Sequence, residues 1–143
     1  MRRAFLPALV ALCLVVLPAA YSPPPVPQGA FTAYTPTVSA ESGTFTTVSA
    51  QGRYQQTGKR VDFWLQVNVT TVGTAGGAVL ASVPVTPASG ANYQAAGRDG
   101  GVGGKVLQGS VLASGNLRIL TYDAAAPAVS GSVLILSGFY EAL

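Results

Sequence analysis

Apolar and polar residues alternate from 61 to 71, VDFWLQVNVTT. Val61, Phe63, Leu65, Val67 and Val69 fall on one side of an extended chain and Asp62, Gln66, Asn68 and Thr70 on the other. A side-chain period of two predicts a strand with one dry and one wet face. Burying five such side chains is worth on the order of 8–15 kcal/mol gross, and that gain requires a second apolar layer. Trp64 interrupts the wet face. Either a neighbouring loop or subunit covers it, or it is a contact residue that stacks on sugar.

Turn signals punctuate the chain from Phe31 onward, at Ser42-Gly43, Gln51-Gly52, Thr57-Gly58, 73–77, Ser89-Gly90, 97–104, 114–116 and 124–131. That rhythm predicts an all-β domain, a jelly-roll-like antiparallel β-sandwich of about eight strands. Strands are expected near 32–40, 44–50, 53–56, 59–71, 78–83, 105–112, 117–122 and 132–140. TVSA occurs at 37–40 and again at 47–50, and two similar strands reversing at Gly43 predict a hairpin. A second, tight hairpin turns at Gly58-Lys59 into the central strand. Val133, Leu134, Ile135 and Leu136 are apolar on both faces, so this strand needs cover on two sides, from a loop or from another copy of the chain.

The domain is expected to occupy 31–143, behind two segments of different character. Residues 1–20 read as an export leader, with Arg2 and Arg3 ahead of an apolar core at 5–17 and a small-residue end at Pro18-Ala19-Ala20. A retained anchor is the alternative, and membrane contact is expected only through such an uncleaved leader. Residues 21–30, YSPPPVPQGA, form a stiff Pro-rich spacer of polyproline character.

Composition narrows the chemistry. The chain has eight Lys and Arg against five Asp and Glu; Arg2 and Arg3 belong to the leader, which leaves six against five. The remaining cations are scattered, so no stripe tracks phosphates and no nucleic-acid partner is expected. Charged residues are only 9% of the chain, a weakly repelling surface that favours self-association. There is no histidine, and the one cysteine, Cys13, lies in the leader. Disulfides, Cys/His metal sites and histidine-based triads are thereby excluded, and no cofactor is implied.

GRDGGVGGK at 97–105 superficially resembles a phosphate loop, but Asp99 stands where that pattern needs glycine and Val106 where it needs Ser or Thr. It reads as a flexible surface loop whose adjacent charges, Arg98 and Asp99, sit where rigid β scaffolds hold ligands. The five carboxylates, Glu41, Asp62, Asp99, Asp123 and Glu141, are isolated in sequence, whereas a glycosidase needs two at a set separation. Tyr34, Tyr54, Tyr93, Tyr122 and Tyr140, with Trp64, could stack on sugars or fill a subunit interface, or could be ordinary strand tyrosines. The candidate ligand-binding set is Trp64, Tyr93, Arg98, Asp99 and Tyr122, with no catalytic and no metal-binding residues.

The run TAYTPTVSAESGTFTTVSAQGRYQQTGKRVDFWLQVNVTT, then GTAGGAVLASVPVTP, AAGRDGGVGGKVLQGSVLASGNLRILTYD and the closing SGSVLILSGFYEA, resembles the C-terminal domain of bacteriophage tail fibres and related receptor-binding proteins. The resemblance rests on the Tyr-Thr-Pro-Thr opening, a Gly-Arg-Tyr before a Gly-Lys turn, a proline-ended third segment and a final Gly-x-Tyr. It implies a jelly-roll-like sandwich, usually a homotrimer, at a fibre tip that binds a cell-surface glycan or protein. Tail fibres assemble in the cytoplasm, whereas this chain opens on an export-like leader. Either a prophage tip domain stands behind that leader and the protein is periplasmic or extracellular, or the start codon is misplaced and the protein belongs to the virion tail fibre. Three functions follow as expectations: a non-enzymatic module recognising cell-surface carbohydrate or an outer-membrane receptor, an exported trimerisation domain without ligand, and a polysaccharide hydrolase.

Overall fold

A computed structural model describes residues 29–90 and 92–143. The leader at 1–20 and the spacer up to residue 28 lie outside the described residues. The chain adopts the expected all-β class, and the described residues hold no helix. Nine strands follow in order: β1 (Thr32–Tyr34), β2 (Val38–Ser42), β3 (Thr47–Thr57), β4 (Arg60–Thr71), β5 (Gly76–Ser82), β6 (Tyr93–Asp99), β7 (Val106–Val111), β8 (Asn116–Thr121) and β9 (Ser132–Glu141). All pair antiparallel in one sheet, in the order β1-β3-β4-β9-β6-β7-β8-β5-β2.

That order dictates the shape. Laid flat at ~4.8 Å per strand, β1 and β2 would stand about 38 Å apart. Only residues 35–37 join them, and four Cα steps span at most about 14 Å. The sheet must therefore curl until its outer members come close, which encloses one face as a second sheet would. The enclosed face holds Val61, Phe63, Leu65, Val67 and Val69 of β4, Leu117 and Ile119 of β8, and Leu134, Leu136 and Tyr140 of β9, none more than 3% exposed. Small residues make room among them: a side chain on Gly52 would overlap the Tyr34 ring, and a Cβ at Gly109 would lie 2.9 Å from the Leu117 Cδ1.

Tyr140 closes one end of the curl. Its buried hydroxyl donates to the Val85 carbonyl at 2.8 Å and accepts from the Val85 N–H at 3.0 Å. Bonds from Ala88 N to Glu141 O and from Leu143 N to Thr86 O then hold the connection after β5 across that end. The Phe63 and Tyr93 rings lie 5.9 and 6.4 Å from the Tyr140 ring, and an edge-on Tyr34–Tyr54 pair at 5.9 Å adds to the aromatic content of the sheet.

Several elements depart from expectation, each for a local reason. The segment 32–40 is split, because Pro36 has no N–H for a ladder and marks the bend from the β3 side of the sheet to the β5 side. Conversely, Gly52 is no turn: it lies inside a single long β3, beneath Tyr34. The TVSA hairpin does not form. Val38 and Ala40 pair with Ala81 and Val79, while Val48 and Ala50 pair with Val69 and Val67. The Gly43 turn is drawn away to the β4–β5 loop, where Thr44 N meets Thr74 Oγ1 at 3.2 Å and Thr74 N meets Thr44 O at 3.1 Å. The Gly58-Lys59 hairpin does form, with Gly58 at φ 59° as a tight primed turn requires. Strand β6 occupies ground read as loop, so the glycine stretch shrinks to 100–104. That stretch supplies part of the cover expected over β9: Gly100 donates to Val133 O at 2.8 Å, and Ile135, pointing outward beside it, is half-buried.

Candidate functional site

The sequence-derived candidates do not converge. Trp64 and Arg98 lie on the outer face of the sheet, linked through the register Trp64↔Ser137↔Ala96 and Gln66↔Ile135↔Arg98. Tyr93 opens β6 at one end of the curl, and Asp99 closes that strand at the other. Tyr122 follows β8, is 68% exposed, and has its N–H tied to Val106 O at 3.0 Å. Adjacent strand residues point to opposite faces, so Arg98 and Asp99 cannot act as a pair. Asp99 is buried, and its carboxylate is occupied by backbone. One oxygen accepts from Gly101 N at 2.8 Å and Val133 N at 2.9 Å, the other from Gly103 N at 2.9 Å. The glycine stretch is thus a pinned turn.

Around Trp64 a surface depression is built from three elements. The hairpin register sets Arg53 opposite Trp64 and Gln51 opposite Gln66, and β1 ends above them at Tyr34. Two adjoining hollows of about 260 and 290 Å³ share Gln51, Arg53 and Trp64, the first bounded also by Ala33, Tyr34, Thr35 and Gly52. Trp64 is half-buried, so its indole is held by its neighbours yet presents a surface to solvent. Ser137, its partner on β9, is too small to cover that surface. Gln66 Nε2 donates to Asn68 Oδ1 at 2.7 Å, which continues a polar lane beside the indole. Arg53 has no carboxylate partner among the described residues. Gln51 and Arg53 were missed from the sequence, although counting back from the Gly58-Lys59 turn places both beside Trp64.

A third groove, about 330 Å³, lies at the Tyr140 end, lined by Lys59, Arg60, Tyr93, Phe139, Tyr140 and Glu141. Its floor is already committed. Arg60 lies 4.2 Å over the Phe139 ring and pairs with Asp62 at 2.8 Å, and that hydrogen-bonded guanidinium holds the Asp62 carboxyl below its usual range. At the opposite end a small hollow of about 110 Å³ is bounded by Asp99, Lys105, Thr121 and Pro127. Beside it the Thr121 hydroxyl, more than Lys105, holds the Asp123 carboxyl low. Glu41 is also held low, first by the Ala78 N–H and then by Arg118.

No family model, curated protein or solved structure matches the chain. Function must then be read from the geometry. Among the described residues no group of three His, Cys, Asp or Glu side chains comes together as a metal set. The shifted carboxyls all move downward, whereas a general acid at neutral pH needs an upward shift. What the Trp64 depression offers is an apolar ring face flanked by amide and guanidinium hydrogen-bonding groups. That combination suits a ligand with alternating C–H faces and hydroxyls.

Proposed function

We propose that this chain is a non-enzymatic recognition module that binds cell-surface carbohydrate against Trp64, in the manner of the tail-fibre tips it resembles. The observation that carries the reading is the pair of hollows sharing Gln51, Arg53 and Trp64. In this reading the indole stacks on one face of a sugar ring, Arg53 and Gln51 bond its hydroxyls, and Ser137 leaves room beside it. The low carboxyl pKa values and the backbone-bound Asp99 support binding over hydrolysis. Either address fits such a module, a virion fibre or an exported protein.

Glycan-array and whole-cell binding of the intact protein test it directly. Trp64→Ala and Arg53→Ala should each weaken binding at least about tenfold, the ~1.4 kcal/mol or more expected for a stacking or charged contact, with unchanged circular dichroism. Wild-type binding that survives both substitutions would exclude this face. Release of reducing ends from capsule or lipopolysaccharide would instead favour the hydrolase. The trimer is part of the proposal. Val102, Val106, Tyr122 and Val129, all exposed at the end away from Tyr140, are the surface we assign to it, and light scattering should give three times the chain mass.

A further inference from the structure

The curled sheet does not close upon itself. One side of its seam is β2, paired only with β5, and the other is residues 47–51 of β3, beyond Gly52, where pairing with β1 stops. Among the described residues no backbone hydrogen bond crosses from 38–42 to 47–51, so both lips carry unpaired N–H and C=O groups. The repeated TVSA tetrapeptide forms these two lips. Val38, Ala40, Val48 and Ala50 are paired with core residues yet only half-buried, whereas the inward residues of β4 and β8 are buried. The wall is incomplete where they stand.

Exposed strand edges are ordinarily guarded by Lys, Pro or an inward charge. Neither lip has one. The single charged residue, Glu41, is turned to the Ala78 N–H at 3.1 Å and to Arg118 at 3.1 Å. The register irregularities, at Ala40/Ser42 and Thr47/Val48, sit toward the turn and leave 48–51 regular.

We propose that the seam receives an extended, uncharged peptide segment of a partner protein, added as a strand along residues 47–51 with apolar side chains against Val48 and Ala50. Backbone pairing selects an extended chain with free N–H groups. Residues 23–27 of this chain fail that requirement, because four of the five are proline. Since Arg118 already answers Glu41, the lips have no charge left to match, and a charged side chain facing Val48 would be buried unpaired. A second copy would bring its own edges, β1 and β2, in place of a partner's segment, and its pairing would grow with protein concentration.

The probe is the peptide acetyl-QVNVTT-amide, a copy of residues 66–71, which already pair with this segment from its other side. Hydrogen exchange of the full chain should slow at 47–51 by roughly tenfold at saturating peptide, while the β4 and β9 amides stay unchanged. Only alternate N–H groups of an added strand face the lip. N-methylation of the peptide at one alternate set should therefore abolish the protection, and methylation at the other set should spare it. Three results would overturn the proposal: no protection at 47–51, indifference to both methylated sets, or protection that rises with protein concentration in the absence of peptide, which would make a second copy the occupant.

Discussion

Two tyrosines place the same substitution in opposite surroundings. Tyr140→Phe removes the bonds at 2.8 and 3.0 Å that tether Val85 and with it the connection across the end of the sheet. A buried donor or acceptor left without a partner costs ~1–3 kcal/mol, and the mutation strands one of each. Val85 is half-buried, so water recovers part of that loss, and the net destabilisation should be about 1–3 kcal/mol. The Tyr34 hydroxyl is buried with no hydrogen-bond partner. Tyr34→Phe therefore breaks nothing and removes a desolvated polar group, which should leave stability unchanged or raise it by ~0.5–2 kcal/mol. Urea unfolding at neutral pH reads both, and for a domain of this size each kcal/mol moves the melting midpoint by roughly 3–6 °C. If Tyr34→Phe proves as destabilising as Tyr140→Phe, the assignment of a satisfied and an orphaned hydroxyl is wrong.

The same pair makes stability depend on alkaline pH. Burial pushes the Tyr140 hydroxyl up to about 12, and burial followed by the proximity of Tyr140 raises Tyr34 as well. An unfolded chain loses these protons near pH ~10, so stability is independent of their ionisation below that pH and falls as pH climbs through the folded values. Unfolding midpoints should decline above pH ~10, and Tyr34→Phe should flatten the decline. Asp99→Ala leaves three backbone N–H groups without their carboxylate; urea unfolding should show a loss of about 2–4 kcal/mol, with faster exchange at Gly101, Gly103 and Val133. Gly52→Ala drives a methyl into the Tyr34 ring and should cost ~1–3 kcal/mol, with exchange increased at β1 more than at β4.

The β4 strand was legible because its alternation is complete and its inner face is wholly buried, so local pattern and tertiary environment agree. The β3–β4 hairpin was legible for a different reason, a glycine with positive φ at the turn itself. Strand β6 was hidden. Its inward positions are Tyr93, Ala95, Gly97 and Asp99, too small or too polar to make a hydrophobic rhythm, and they suffice because large neighbours such as Leu136 fill the space from across the sheet. The unpaired TVSA strands were equally hidden. Similar sequences predict similar strands, but each takes a different neighbour, β5 and β4, and the turn between them bonds to Thr74, thirty residues from Thr44.

The fate of the aromatics separates packing from recognition. Tyr34, Tyr54, Tyr93 and Tyr140 lie in ring pairs, and the hydroxyl of Tyr140 is already bonded. Phe139 is half exposed, but Arg60 occupies one face of it. Trp64 differs from all of these, since its register neighbours are a flexible cation and a serine, and neither fills the space over the indole. A strand position on the wet face is an expensive place for tryptophan, because the ring recovers only part of its burial there. In the function proposed above, a sugar ring laid on the indole would cover the apolar area that the fold leaves open. Trp64→Ala should consequently separate the two roles, changing urea-unfolding stability by less than about 1 kcal/mol while weakening glycan binding at least about tenfold. A loss of several kcal/mol on that substitution would make the indole a packing residue and remove the basis for the site.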